Sequence, residues 1–104
     1  MRAETLKGHL DFLLLAILAD EPAHGYRIIE ELKRRSAGAF DLPEGTVYPA
    51  LHRLEQNGLL ASSWASGSGR RRRVYRLTVR GRRALVGARQ EWRGFTKAVD
   101  AVVA

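Results

Sequence analysis

The chain has 104 residues, of which 45% are apolar, and this length predicts one small domain with at most one appended element. It contains no cysteine, which excludes a disulfide framework and a thiolate metal site and makes a cytoplasmic location the expectation. The formal net charge of +7 is unevenly spread, because residues 70–104 carry eleven Lys and Arg against two Asp and Glu, and residues 1–69 carry seven against nine.

The first predicted element is a helix over residues 6–19 that is apolar around most of its circumference. One apolar stripe is a core face, but Phe12, Leu15 and Ala16 fill much of the opposite side. A helix that is apolar on nearly all sides is expected to be buried on two opposite sides, and a domain this small has only one core. We therefore expect the second side to meet another copy of the chain. The apolar run over residues 12–18 is too short to cross a bilayer, so no membrane partner is expected.

A second helix is predicted over residues 24–35, after a break at Asp20-Glu21-Pro22. Its inner side is expected to carry Tyr26, Ile29 and Leu32 at helical spacing. Because Tyr26 stands near the start of the helix, its hydroxyl can instead donate to a phosphate of a nucleic acid. Both roles of this tyrosine stay open.

The third predicted helix lies in EGTVYPALHRLEQNGLL, residues 44–60, and ends at the left-handed stop Asn57-Gly58. One face carries an apolar core stripe at helical spacing: Val47, Ala50, Leu51 and Leu54. The side that should face water carries an unusual set of groups: Thr46, Tyr48, Pro49, His52 and Arg53. Pro49 is expected in the first turn or just after it, where its missing N–H costs little.

Two short strands are predicted over residues 60–65 and 72–77, joined by the Ser-Gly-Ser-Gly tip of a hairpin. Alternation along the first strand makes Trp64 an expected core residue. Eight arginines fall between positions 70 and 83 with no acidic residue among them, which favours a nucleic-acid partner over a merely solvated face. Arg70, Arg71 and Arg72 are therefore expected to contact phosphates or a narrow minor groove.

Thr78 is the expected N-cap of a final helix, although Gly81 stands where a capping box would place Glu. Apolar residues at alternating intervals of three and four predict an a/d seam along this helix: Leu85, Ala88, Trp92, Phe95, Val99 and Val102. The seam spans fewer than three heptads and can pack on its own domain, but together with the apolar first helix it favours a homodimer. Trp92 is either plain interface packing or a platform for a ligand, and both roles stay open.

The order of these elements predicts a mainly α fold with a small antiparallel β-hairpin, in the α+β class. It is the order of a winged helix-turn-helix DNA-binding domain, over residues 1–78, followed by a dimerisation helix over residues 79–104. The third helix then occupies the position of a recognition helix. The major groove admits one helix, and its base edges offer donors, acceptors and the thymine methyl group. His52 suits those edges, whereas Tyr48 can either read a base or pack on the domain.

The strings TVYPALHRLEQNGLL and VYRLT, with LLLAILADEPAHGYRIIEEL before them, resemble the PadR family of bacterial transcriptional regulators. The resemblance covers about residues 8–103, and the single short C-terminal helix looks like that of the small subfamily. It implies a homodimeric repressor, usually of a neighbouring gene, that a small molecule releases from DNA. In some similar proteins flat aromatic compounds stack on paired tryptophans at the dimer centre, and Trp92 stands at the matching position. On a palindromic operator the two recognition helices of such a dimer would lie about 34–36 Å apart.

The effector pocket and dimer interface implied by this resemblance combine apolar residues of the first and last helices: Phe12, Leu15, Ala16, Trp92, Phe95 and Val99. Gly81 departs from the family pattern, in which an acidic or polar residue is commoner at this position. Gly94, beside Phe95, weakens the last helix by about 1 kcal/mol relative to Ala. Both glycines leave the shape of the implied pocket open.

Enzyme functions find no support in the sequence. The three histidines, His9, His24 and His52, lie on three different elements without a metal-ligand spacing, and no Gly-rich phosphate loop follows a strand. We therefore expect no catalytic site, no metal and no cofactor. Two further binding functions stay open. One is an architectural protein that binds DNA without sequence preference, and the other is a winged-helix module whose basic hairpin meets an acidic protein.

Overall fold

The computed structural model of the chain describes residue 6, residues 8–67 and residues 69–104. These residues form four helices and three strands: α1 (Leu10–Asp20), β1 (Ala23–His24), α2 (Gly25–Arg35), α3 (Glu44–Gln56), β2 (Leu60–Gly67), β3 (Arg70–Leu77) and α4 (Val79–Val103). The strands form an antiparallel sheet in the order β1-β3-β2, and the β2–β3 hairpin is the wing. The expected α+β class is confirmed. Within the described residues, no helix is long and apolar enough to span a membrane.

The start of α1 and the short strand β1 differ from the sequence prediction. Helix α1 begins at Leu10 and not at residue 6, because Gly8 has a φ of +87° and a left-handed backbone cannot continue an α-helix. Position 7 of the predicted first turn lies outside the described residues. Strand β1 has only two residues, which is too short for an alternating pattern, and it pairs Ala23 with Tyr75 and His24 with Val74.

The core lies where α1, α2 and α3 pack on the half of the wing nearest the helices. The largest side chains that are almost fully buried come from all of these elements: Leu14, Leu18, Ile28, Val47, Leu51, Leu54 and Tyr75. The predicted core face of α3 is confirmed, since its four apolar residues are each at most 2% exposed. On α2 the inner side is rotated from the prediction, because Ile28 and Leu32 are buried whereas Ile29 is only partly so.

Two aromatic residues that were expected in or near the core lie at the surface. Trp64 shares a face of the sheet with Leu60 and Tyr75, as alternation predicts, yet it is 56% exposed. The physical reason is that the wing extends past the helices, so no helix packs on this part of the face. Tyr26 is exposed as well, because the first turn of α2 lies at the edge of the domain, so the core role left open for it is excluded.

The connection between α3, the wing and α4 is fixed by one turn. Gly58 has a φ of +78° and provides the predicted left-handed stop of α3. Thr78 is the predicted N-cap of α4: its Oγ1 accepts from the Gly81 amide at 3.0 Å and donates to the Gly58 carbonyl at 2.7 Å. Gly81 itself is buried, and a Cβ at this position would overlap the Leu59 carbonyl oxygen. Glycine therefore stands at this position because α4 passes directly over the turn.

Helix α4 continues far beyond the part that packs on the domain. The predicted seam begins with the buried Leu85 against the core. Further along, Trp92, Phe95 and Val102 are 43%, 60% and 84% exposed, so the distal seam is an uncovered apolar stripe on the single chain. The molecule is accordingly elongated, with a longest dimension of 53 Å.

The tight approach of α4 to the Leu59 carbonyl predicts that Gly81→Ala lowers the free energy of unfolding by about 1–3 kcal/mol, because an added methyl group forces the helix off the turn. Gly87→Ala is the matched control on the same helix, since a Cβ there meets no atom within 4 Å. Without a steric penalty, the control is expected to raise stability by up to about 1 kcal/mol, as alanine does over glycine in a helix.

Both variants are compared with the parent protein by denaturant unfolding at one protein concentration, since association would change the apparent stability. Equal stabilities for the two variants would contradict the packing argument.

Candidate nucleic-acid interface

A groove of about 410 Å³ opens between the start of α2, the exposed side of α3 and the wing. We call it the basic groove and define it by its lining residues: His24, Gly25, Tyr26, Tyr48, His52, Trp64, Arg70, Arg71, Arg72, Arg73 and Tyr75. It brings together six of the nine residues predicted to bind DNA: Tyr26, Tyr48, His52, Arg70, Arg71 and Arg72. These six residues come from three separate elements, so only the fold makes them one surface.

Tyr48 joins α3 to the start of α2 and lines the basic groove at the same time. Its ring lies against Gly25, where any side chain would overlap the phenol. Partial burial raises the pKa of Tyr48, and the negative charge of Glu44 raises it further, so the phenol is neutral at physiological pH. Of the two roles left open for Tyr48, packing on the domain is therefore present in the structure.

Tyr26 lies on the exposed surface at the first turn of α2 and faces the first residue of α3. A hydrogen bond to the Glu44 carboxylate raises the pKa of Tyr26, and the negative charge of that carboxylate adds to the effect. The exposed Tyr26 side chain lines the basic groove, where a phosphate can reach it.

His24 connects the start of α2 to the wing and was not among the predicted site residues. Its Nδ1 accepts from the Arg27 amide at 3.2 Å, which makes it the N-cap of α2. Its Nε2 lies 2.7 Å from Nη1 of Arg72. Burial lowers the pKa of His24, and the positive charge of Arg72 lowers it further. A neutral imidazole has one acceptor nitrogen, so the two contacts compete for it, and a protonated ring can accept neither.

The four arginines of β3 nearest the tip do not share one environment. Nη2 of Arg73 lies 3.5 Å from the Glu55 carboxylate, so part of its charge is offset. Arg71 and Arg73 place their guanidinium carbons 4.8 and 5.4 Å from the centroid of the Trp64 ring. Arg70, Arg71 and Arg72 form no salt bridge with any of the described residues. The uncompensated positive charge therefore lies at the outer half of the wing.

Three predicted DNA-binding residues do not line the basic groove. Thr46 and Pro49 are exposed on α3, and Pro49 is the sixth residue of the helix, in its second turn. Arg53 departs most from the expectation, because its Nη2 donates to Asp11 Oδ1 on α1 at 2.5 Å. This ion pair joins residues 42 positions apart and holds the guanidinium away from the other predicted base-reading groups.

A second groove, of about 430 Å³, lies between α1 and α4, and we call it the apolar groove. Its lining residues are Gly8, His9, Phe12, Ala88, Glu91, Trp92 and Phe95. The Trp92 ring is its centre, with ring centroids 6.4 Å from Phe12, 6.2 Å from Phe95 and 5.5 Å edge-on from His9. The sequence did not single out His9 for this role, because nothing in its spacing indicates that α1 and α4 meet there.

The other three residues predicted for the effector pocket lie elsewhere. Leu15 is a correction: it is only 4% exposed and belongs to the core of its own chain, because the core surrounds α1 more widely than its main stripe suggests. Ala16 is half-buried and packs against the core, and Val99 lies further along α4, beyond the apolar groove. Among the described residues, no group of three or more His, Cys, Asp or Glu is arranged to hold a metal ion.

Comparison with known proteins places this architecture among transcriptional regulators. The sequence profile of the transcriptional regulator PadR-like family matches residues 14–86. The transcriptional regulator Rv3488 of Mycobacterium tuberculosis is 46% identical over 72 residues, which are 69% of this chain and 64% of that protein. This chain therefore spans slightly less than two thirds of that relative.

Solved structures are similar over nearly the whole chain. A PadR family transcription regulator from Clostridium difficile has a TM-score of 0.84 at 35% identity, over 93% of this chain and 100% of that chain. A transcriptional regulator from Clostridium thermocellum has a TM-score of 0.90 at 26% identity, over 100% of this chain and 99% of that chain. The agreement includes α4 as well as the part that carries the basic groove.

The two contacts of His24 predict a stability that depends on pH. Because the folded state lowers its pKa below the ordinary 6.5, the contribution of the neutral ring is complete above pH 6.5 and is lost as the pH falls through the lower folded-state pKa. Thermal unfolding at pH 7.5 and pH 5 is expected to show a larger drop for the parent protein than for His24→Asn. Asparagine keeps an N-cap acceptor but does not titrate. An equal drop in both proteins would exclude His24 as the cause.

Proposed function

The chain belongs to the PadR-like family of DNA-binding transcriptional regulators, and from this premise we propose that it is a homodimeric repressor that a small aromatic molecule releases from a palindromic operator. The basic groove is the observation that carries the proposal, because the exposed side of α3 and the arginines of the wing face one space. A helix and a basic hairpin on the same side of a domain can bind one duplex together.

In the proposed complex α3 enters the major groove and the wing follows the backbone. His52 offers an exposed imidazole to base edges from inside the basic groove, and Thr46 and Pro49 extend the same helix toward them. Arg70 and Arg71, whose charges no described carboxylate offsets, would contact phosphates or a narrow minor groove. The base contacts would set sequence preference, and the wing contacts would set affinity and register.

We propose that homodimerisation uses the distal half of α4. Trp92, Phe95, Val99 and Val102 form an exposed apolar stripe at intervals of three, four and three residues. Such a stripe is unfavourable in water and is typical of a helix-to-helix interface. Pairing two copies of α4 would cover both stripes and carry two recognition helices on one body, as a two-fold symmetric operator requires.

We propose the apolar groove as the effector site. The rings of Phe12, Trp92 and Phe95 surround a space that suits a planar aromatic molecule, and Glu91 at its edge favours a cationic one. In the proposed dimer the Trp92 rings of the two copies would approach each other and enclose the ligand. The alternative is that Trp92 serves only as packing in the interface.

One observation favours a second function, that of an architectural protein that binds DNA without sequence preference. Arg53 is paired with Asp11, so α3 presents fewer free groups to base edges than its sequence suggests. The arginines of the wing would then supply most of the binding, and they contact phosphates without reading the sequence.

Selection of genomic fragments on the immobilised protein at moderate salt, followed by sequencing, separates the two functions. The repressor is expected to enrich one palindrome. His52→Ala should relax the preference at particular base pairs, because it removes a group that contacts base edges. Arg71→Ala should recover the same palindrome with weaker binding to all duplexes and a salt slope about one unit shallower, because it removes a phosphate contact.

Recovery of fragments without a shared site would favour the architectural function over the repressor. Loss of the palindrome in the Arg71→Ala protein, with its retention in the His52→Ala protein, would contradict the assignment of base and phosphate contacts.

The effector site predicts that proflavine, a planar aromatic cation, quenches the fluorescence of Trp92 by stacking on it. Trp64 is the other tryptophan, so Trp64→Phe provides the matched control in which only Trp92 reports. Quenching is expected to persist in Trp64→Phe and to disappear in Trp92→Ala. Quenching that persists unchanged in Trp92→Ala would exclude the apolar groove as the binding site of this probe.

A further inference from the structure

Trp64 is a large exposed apolar side chain in the basic groove, and two guanidinium groups lie over it. The guanidinium carbons of Arg71 and Arg73 are 4.8 and 5.4 Å from its ring centroid, within the range of a cation–π interaction. The hairpin register explains this arrangement, because Trp64 pairs with Arg73, and Arg71 pairs with Ser66 two residues further along the same face. The strand pairing therefore fixes which arginines the indole meets.

The two arginines differ in what else they contact. Glu55 lies 3.5 Å from Nη2 of Arg73 and also accepts from the Ser62 hydroxyl at 2.5 Å, so Arg73 is held at the base of the wing. Arg71 forms no salt bridge with the described residues, and Trp64 is the aromatic ring that its guanidinium meets. A guanidinium that lies over an aromatic face keeps its N–H groups free at its edges. Arg71 therefore retains its donors while its position is restricted.

We infer that Trp64 is a positioning residue for DNA binding, which holds the Arg71 guanidinium over the basic groove in a position where it can meet a phosphate. An arginine on a hairpin tip otherwise samples many rotamers, and ordering them opposes binding. The indole restricts these rotamers before DNA arrives. It also accounts for an exposed tryptophan on a strand face that has no helix packed on it.

The inference rests on DNA binding, which the family shares, and not on the repressor function. A phosphate contact acts on any sequence, so a 30-base-pair duplex of random sequence at low salt is a sufficient probe. A protein that binds DNA without sequence preference would still show the effect of Trp64, although it would enrich no palindrome in the selection experiment. Failure of this inference is therefore distinguishable from failure of the proposed repressor function.

A double-mutant cycle tests the inference through fluorescence anisotropy with this duplex. Trp64→Leu keeps an apolar side chain but removes the aromatic face, and it is expected to weaken binding roughly two- to fivefold. In an Arg71→Ala background the same substitution should have no further effect, because the arginine that it positions is gone. In an Arg70→Ala background, the matched control, the loss should be the same as in the parent protein.

Two results would overturn the inference. An undiminished effect of Trp64→Leu in the Arg71→Ala background would mean that the indole contacts DNA itself, for instance by inserting between base pairs. No effect of Trp64→Leu in the parent background would mean that the indole does not help Arg71. Trp64→Phe should lose less affinity than Trp64→Leu, since a smaller aromatic face remains. Unfolding curves verify that the exposed position leaves stability unchanged in both variants.

Discussion

The turn at Gly58 and Leu59 is the constraint on which α3, the wing and α4 all depend. The Leu59 carbonyl accepts from the Thr78 amide at 3.1 Å, and the Thr78 hydroxyl donates to the Gly58 carbonyl at 2.7 Å. These bonds close the base of the wing beside the end of α3 and start α4 at the same point. Since Gly81 then lets α4 lie against this turn, one small region sets the angle between the basic groove and α4.

Salt bridges offset part of the positive charge of the chain in α2 and near the base of the wing. Glu31 pairs with the guanidinium groups of Arg34 and Arg35, and the hydrogen bonds from Arg34 first and from Arg35 second help to lower the pKa of Glu31 to about 2. Glu55 lies beside Arg73 near the base of the wing. Arg70, Arg71 and Arg72 of the outer wing, opposite the exposed side of α3, form no salt bridge with the described residues, and neither do Arg76 and the basic residues of α4. In the proposed complex this positive potential beside α3 would attract the phosphate backbone.

Sequence patterns predicted the helices and strands well, but they predicted less well what packs against each face of these elements. The core stripe of α3 and the Thr78 cap depend on residues close in the chain, and both are confirmed. Alternation also assigned Trp64 to the correct face, but it cannot tell where the helices beneath that face end. The Asp11–Arg53 pair and the meeting of His9 with Trp92 depend on how α1 packs, so no local spacing indicates them.

Helix α1 and the turn before it contact both α3, which lines the basic groove, and α4, which lines the apolar groove. The ring centroids of Phe12 and Trp92 lie 6.4 Å apart in the apolar groove, while the neighbouring Asp11 pairs with Arg53 of α3. Adjacent residues of a helix point in directions about 100° apart, so a single rigid segment contacts α4 with one side chain and α3 with the next. If a ligand in the apolar groove releases DNA, it has to bind one of two states of the protein more tightly than the other, because binding shifts an equilibrium only through a difference in affinity between states. The Asp11–Arg53 pair and the core shared by α1 and α3 are the contacts through which a movement of α1 would reach α3.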